Sequence, residues 1–240
     1  MKNYIYGKNS CRNALQRNQT IKNVLLCDGF RDDEILKLLR QKKINYQFIS
    51  PKKMDELVGK VNHQGIAVEI NDYEYYELSD LLKELESKDY RCIAMLDGIE
   101  DPHNFGAIIR SGDAFGIDGY IICKNRQVGL TNTVAHVSTG AIEYAKVAKV
   151  TNLNRAIEEL KEKGYWIVAS DGLAKQSYRD IDYKMKTCVI IGSEGRGISE
   201  SIKKNSDFLT KIPMVGHVNS LNASVAAALY FSAIQESRSK

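Results

Sequence analysis

Apolar positions along this chain fall into two rhythms. Short β-branched runs mark buried strands, and apolar residues spaced three or four apart mark amphipathic helices. In the first part the pattern predicts a helix over Ser10–Asn18, a strand at Asn23–Cys27, a helix over Asp32–Gln41 and a strand at Tyr46–Ile49. A short helix at Lys52–Val58 and a strand at Gly65–Ile70 complete it. Alternation on this scale builds a small sheet with helices packed on it. Asn71–Glu77, polar and aromatic without clean period, reads as a linker. From Leu78 a second series begins. Helices are expected at Leu78–Ser87, Asn104–Phe115, Asn152–Lys163 and Leu221–Gln235. Strands are expected at Cys92–Leu96, Tyr120–Cys123, Trp166–Ser170, Cys188–Ile191 and Phe208–Ile212. The fold class is therefore α/β: a small α/β unit over residues 1–72, a linker and first helix over 73–90, and a mostly parallel-sheet domain over 91–240, covered on both faces.

In such sheets ligands gather at the carboxyl ends of strands. Three unusual loops lie there, after Leu96, Ile191 and Ile212. The first runs into Asp101-Pro102-His103-Asn104, which opens a helix with Asn104 as its expected cap. At about 100° per residue, Phe105, Ile108, Ile109, Gly112 and Phe115 form one core-facing stripe. Arg110 falls opposite it, flanked by Gly106, Ala107, Asp113 and Ala114. A guanidinium in open space above a rigid helix suits a phosphate or a developing oxyanion.

The second loop, Ile191-Gly-Ser-Glu-Gly-Arg-Gly-Ile-Ser199, has three glycines that let the backbone turn sharply and approach a ligand. It is neither a Walker loop nor the dinucleotide fingerprint. A tight structural turn accounts for the glycines alone, but not for the carboxylate of Glu194 among them. The third loop leads to Ser220-Leu-Asn-Ala-Ser224, with Ser220 the expected helix cap and Asn222 and Ser224 in the first turn. Alanines allow close packing of the helix behind it, yet three polar residues at a strand end fit hydrogen bonding to a ligand. His63, His103, His136 and His217 show no metal-ligand spacing. Each reads as a packing or hydrogen-bonding residue, and no metal is expected.

Charge adds one asymmetry. The chain carries 34 Lys+Arg and 30 Asp+Glu; residues 1–72 hold 13 and 8 of these, the remainder 21 and 22. A basic front on a nearly neutral body points to a polyanion-binding module, although a solvated lysine-rich surface gives the same count. Five cysteines without a Cys-x-x-Cys pair argue against a disulfide framework or structural zinc, and Cys92, Cys123 and Cys188 sit in strand-like runs as small core side chains. No apolar run reaches membrane-spanning length, and the amino terminus lacks a signal-peptide core, so a reducing cytoplasm is expected.

Together the three loops resemble the signature motifs of the SpoU (TrmH-like) RNA ribose 2′-O-methyltransferases of the SPOUT superfamily. Asn104-Phe-Gly-Ala-Ile-Ile-Arg110 is similar to the first motif, Gly192-Ser-Glu-Gly-Arg-Gly-Ile198 to the second, and Ile212-Pro-Met with Ser220-Leu-Asn-Ala-Ser224 to the third. Val128-Gly-Leu-Thr131 and Ser138-Thr-Gly-Ala-Ile-Glu143 also fit the family pattern. The front unit, through Gly7, Ala14-Leu15 and His63-Gln-Gly-Ile-Ala67, resembles the substrate-binding domain of the branch that methylates a guanosine in the peptidyl-transferase loop of 23S rRNA.

The resemblance implies S-adenosylmethionine as methyl donor, an RNA substrate, a homodimer, and a trefoil knot in the carboxyl-terminal part. It implies Arg110, Asn104, Glu194, Asn222 and Ser220 as catalytic residues. It implies a donor pocket near Thr139, Gly140, Gly192, Ile212 and Leu221. Two alternatives stay open: tRNA as the substrate of the same chemistry, or a ribosome-assembly RNA-binding factor that does not catalyse.

Overall fold

The computed structural model describes residues 3–16, 21–70, 73–87 and 90–239. They form two compact units that divide between Glu74 and Tyr75.

The first unit contains β1 (Asn3–Tyr6), α1 (Lys8–Gln16), β2 (Ile21–Cys27), α2 (Asp33–Gln41), β3 (Tyr46–Ile49), α3 (Pro51–Val58) and β4 (Ile66–Ile70). Its sheet has the order β1-β4-β2-β3, with β2 and β3 parallel and the other pairs antiparallel. Local sequence explains where the helices start. The Asp32 side chain accepts from Ile35 N at 3.2 Å to cap α2, and Asp33 and Glu34 follow in its first turn. Ser50 caps α3 ahead of Pro51. Alternating strand residues then separate two cores. Val24, Leu26, Ile66 and Val68 pack with Leu15, Ile35 and Leu39 on one face, while Leu25, Cys27 and Ala67 pack with Met54 on the other. The pattern missed β1, a four-residue strand paired with β4. It also started the first helix late, at Ser10 instead of Lys8; Asn18 lies outside the described residues.

The second unit runs through α4 (Leu78–Glu84), β5 (Cys92–Asp97), α5 (Pro102–Ala114), β6 (Gly119–Cys123), α6 (Asn132–Val137), β7 (Val147–Val150) and α7 (Leu153–Glu162). It continues with β8 (Trp166–Ser170), β9 (Gln176–Ser177), β10 (Thr187–Gly192), α8 (Glu200–Lys204), β11 (Phe208–Lys211) and α9 (Ala223–Ser239). Its sheet is parallel throughout, ordered β7-β6-β5-β10-β8-β11-β9. Ile93, Met95, Ile121 and Ile190 share one core with Leu81, Ile157 and Leu160 from α4 and α7. The intervening strand residues face the other side, where α5 packs against α6 and α9. The sequence pattern skipped β7, an edge strand whose Lys149 interrupts the apolar run, and α6, which is too short to show a period.

The tail of the expected linker is tied into this unit. Tyr76 N donates to Val147 O at 2.9 Å, and the Tyr75 hydroxyl accepts from Leu130 N at 2.7 Å. Asn71 and Asp72 lie outside the described residues. At the opposite end of the chain, the Arg238 guanidinium donates to the carbonyls of Arg91, Met185 and Tyr183. It thereby pins the far end of α9 near the amino ends of β5 and β10. All five cysteines are free. Burial pushes the Cys11 and Cys92 thiols up to about 12 and raises Cys188 as well, so they stay protonated as core side chains.

Gly112 fixes how closely α5 approaches the sheet. A Cβ there would lie 1.9 Å from the Tyr120 hydroxyl, which donates to Ile109 O at 3.2 Å. Gly112→Ala is therefore expected to cost about 1–3 kcal/mol through overpacking, read as a lower Tm. Adding Tyr120→Phe should restore part of the loss, because it removes the clashing oxygen. An unchanged Tm in the single variant would refute this account of the helix–sheet contact.

Candidate active site

Strand order places a crevice. From β5 the chain builds β6 and β7 to one side, whereas β10, β8 and β11 lie on the other. Parallel sheets bind ligands at such a switch point, outside the carboxyl ends of the strands. Gly192 stands in register with Asp97, so the loops leaving β10 and β5 start side by side.

The first loop turns at Gly98, whose φ is +82°. Asp101 caps α5 by accepting from His103 N at 2.9 Å, and Pro102 occupies the first turn. Asn104 is thus not the cap, as the sequence pattern had it. An aspartate followed by proline starts a helix better, since proline has no N–H to satisfy. With Asp101 as the cap, the Asn104 carboxamide is left available.

The second loop closes through Gly197 N donating to Ser193 O at 2.8 Å. Gly192 has to be glycine, since a Cβ there would sit 2.3 Å from the Gly197 carbonyl carbon. Asp97 Oδ2 accepts from Ser199 N at 2.9 Å and ties this loop to the end of β5. The sequence reading overlooked Asp97; the Asp-Gly pair closing an apolar run was the available signal.

The two loops and α9 converge on Glu194. Its Oε1 accepts from Asn104 Nδ2 at 3.1 Å, from Ala223 N at 3.3 Å and from Asn222 Nδ2. Asn222 Nδ2 also donates to Asn104 Oδ1 at 2.8 Å. The carboxylate sits where the positive end of α9 favours it. Asn222 Oδ1 accepts from Ser224 N at 3.0 Å and Val225 N at 3.3 Å, so Asn222 caps α9. Ser220, expected as the cap, lies two residues too early to reach those amides and is exposed. Asn104 and Glu194 line a cleft of about 280 Å³ together with Gly98, Glu100 and Arg196.

Arg110 is exposed on α5 and has no hydrogen-bonded or ion-paired partner among the described residues. Six residues beyond Asn104, it lies about 9 Å along the axis and about 120° around it. Within the chain, then, Asn104 and Glu194 hold each other and not Arg110. The flank beside Arg110 is also less bare than its sequence implies. Gly106 is buried, and a Cβ there would approach Val137 Cβ of α6 to 2.7 Å.

The expected donor-pocket residues divide into two groups. Gly192, Ile212 and Leu221 lie at or beyond the carboxyl ends of β10 and β11. From Pro213 to Leu221 no main-chain N–H or C=O is engaged by another described residue, so a ligand with hydrogen-bonding edges finds open groups there. Thr139 and Gly140 follow α6 beside the short 3-10 turn packed on α5. They adopt φ values of +49° and +100° in succession. Left-handed backbone at a β-branched residue is strained by about 1–3 kcal/mol, and such strain concentrates at ligand sites. Among the described residues no group of three His, Cys, Asp or Glu side chains is placed to hold a metal.

A parallel-sheet domain with a polar cluster at its switch point, preceded by a separate α/β unit, defines a ligand-binding α/β protein built on two modules. More specifically, the chain belongs to the SpoU rRNA methylase family, whose model matches residues 91–232. A second model, for RNA 2′-O ribose methyltransferase substrate binding, matches residues 4–76. Among its relatives is YacO of Bacillus subtilis, named for the TrmH family of tRNA/rRNA methyltransferases. It is 41% identical over 98% of this chain and 96% of that protein. A like-named protein of Staphylococcus aureus (strain MSSA476) is 44% identical over 94% and 92%. Solved structures share the fold. The SpoU methyltransferase AviRb of Streptomyces viridochromogenes superposes with a TM-score of 0.81 at 21% identity, over 99% of this chain and 90% of that one. An AdoMet-bound rRNA methyltransferase of Sinorhizobium meliloti gives 0.82 at 20%, over 98% and 87%. The family is one of RNA methyltransferases. No helix among the described residues is long and apolar enough to cross a membrane.

Proposed function

We propose that this chain transfers a methyl group from S-adenosylmethionine to a ribose 2′-hydroxyl of RNA, at a guanosine of the 23S rRNA peptidyl-transferase loop. The convergence of Asn104, Glu194 and Asn222, from three distant segments, on one crevice carries the reading. The match of residues 4–76 to a substrate-binding model supports RNA delivery by the basic first unit. The trefoil knot and the homodimer belong to the same proposal.

When bound, S-adenosylmethionine supplies an activated methyl on a sulfonium. The residues of this chain have to hold the ribose and manage a proton and a charge. A 2′-hydroxyl is a poor nucleophile until its proton is drawn away. Arg110 does not take that proton, because guanidinium stays protonated in proteins. It clamps the adjacent phosphate and stabilises negative charge growing on the 2′-oxygen, and the phosphate or a water accepts the proton. Asn104, Glu194 and Asn222 fix the loops around the ribose. Ser220, whose hydroxyl has no partner among the described residues, faces substrate or donor with the open main chain of Pro213–Leu221. Main-chain groups near Thr139, Gly140, Gly192, Ile212 and Leu221 line the donor pocket.

The test is transfer of labelled methyl to unmodified 23S rRNA and, separately, to unmodified tRNA, with the modified position mapped. One 2′-O-methylguanosine in the peptidyl-transferase loop is the expected result. Transfer to tRNA alone keeps the chemistry and overturns the target. Donor binding with no transfer to either RNA overturns catalysis on naked RNA and favours an assembly factor.

A further inference from the structure

The mouth of the cleft carries an ion pair outside the Asn104–Glu194–Asn222 cluster. Arg196 Nη2, in the loop after β10, donates to Glu100 Oε1, in the loop after β5, at 3.2 Å. The side chains are 70% and 59% exposed. A pair this exposed adds little to stability, so either partner exchanges at small cost. Arg196 is the only cation among the described residues lining the cleft, beside the carboxylates of Glu100, Asp101 and Glu194. A polyanion arriving here meets three negative charges and one guanidinium that is already occupied. Gly195 and Gly197 flank that arginine, and nothing lies within 4 Å of a Cβ built on either. With most of its own side chain in solvent as well, the guanidinium has room to leave Glu100.

The geometry points to Glu100 as a built-in stand-in for a substrate phosphate: RNA entering the cleft displaces it, and Arg196 passes to the phosphate beside the reacting ribose. This inference rests on the RNA substrate proposed above. A guanidinium fork binds phosphate through two parallel hydrogen bonds, where Glu100 receives one. A small free anion competes poorly with a carboxylate tethered at the same spot. A phosphate held in place by the rest of a docked RNA does not share that handicap. Glu100 thus acts as a selectivity element that rejects anions not attached to correctly placed RNA.

The experiment uses the full chain and an unmodified 23S rRNA fragment containing the peptidyl-transferase loop. RNA affinity is read by fluorescence anisotropy across a salt series, and donor affinity by calorimetry. Arg196→Ala should weaken RNA binding about tenfold and reduce the slope of log K against log salt by about 1. Glu100→Gln should tighten binding about three- to tenfold. The double variant should lie close to Arg196→Ala, because Glu100 then restrains no guanidinium and its loss relieves only the weak repulsion of one exposed charge. Donor affinity should not change in any of them.

Weaker binding in Glu100→Gln would make the pair a structural strut and overturn the inference. So would a gain from Glu100→Gln that persists in full without Arg196. Lost donor affinity in Arg196→Ala, with RNA binding intact, would place the guanidinium on the donor's carboxylate and overturn it equally. The readout does not depend on turnover. If the expected shifts appear in a protein that transfers no methyl, the exchange at Arg196 stands and the catalytic reading falls.

Discussion

Arg110→Ala is expected to lower methyl transfer by about 10²–10³-fold or more, the usual consequence of deleting a group that stabilises transition-state charge. Donor affinity should stay nearly the same, because the donor is assigned to main-chain groups and the exposed Arg110 side chain bonds to none of them. The fold should survive too, since the side chain has no partner among the described residues to strand. Arg110→Lys separates two roles: it keeps a positive charge and loses the planar fork. Activity close to wild type in the lysine variant would reduce Arg110 to a point charge, and near-normal turnover in the alanine variant would remove it from the mechanism.

Gly192→Ala should be nearly as damaging for a different reason. The added methyl would meet the Gly197 carbonyl carbon at 2.3 Å, its oxygen at 2.4 Å and Ile198 N at 2.5 Å, all of them backbone. No side-chain rotation relieves such a clash, so the whole loop has to shift. That shift moves Glu194 away from Asn104, Asn222 and the start of α9. Loss of turnover together with donor affinity and several degrees of Tm is the expected signature, in contrast to the turnover-only loss at Arg110. If calorimetry and kinetics show a variant close to wild type, the tight loop is not what positions Glu194.

Much of this was legible in the sequence, and the failures have physical causes. Cys92–Leu96 announced itself as an unbroken apolar run because the strand is buried on both faces, and Asn152–Lys163 by its helical period because that helix buries one face. Of the edge strands β3 was legible, whereas β7 is broken by Lys149 and β1 is a four-residue strand without a β-branched run. Helix starts were misplaced at Asn104 and Ser220 because several residues in each loop are able to cap. Which one does so depends on where the preceding strand releases the chain. At the site, the three segments were recognisable one by one, but their meeting was not. Nothing local in Asn104 specifies that its carboxamide faces Glu194. That contact exists because β10 inserts beside β5 and brings the two loops together.

The same insertion governs how the site comes into being during synthesis. Asn104 and Glu194 are 90 residues apart in the chain, and Asn104 and Asn222 are 118 apart. Contacts of such long sequence separation form late and slowly, because the loops they close have to be ordered first. A nascent chain that has emerged only as far as β8 holds the helix bearing Arg110 but has no strand beside β5 on its inner edge. An amino-terminal fragment released by premature termination before Asn222 would thus carry the first unit, for which RNA delivery is proposed, without a completed cleft. On that proposal, such a fragment would compete with the finished protein for the same RNA and leave it unmodified.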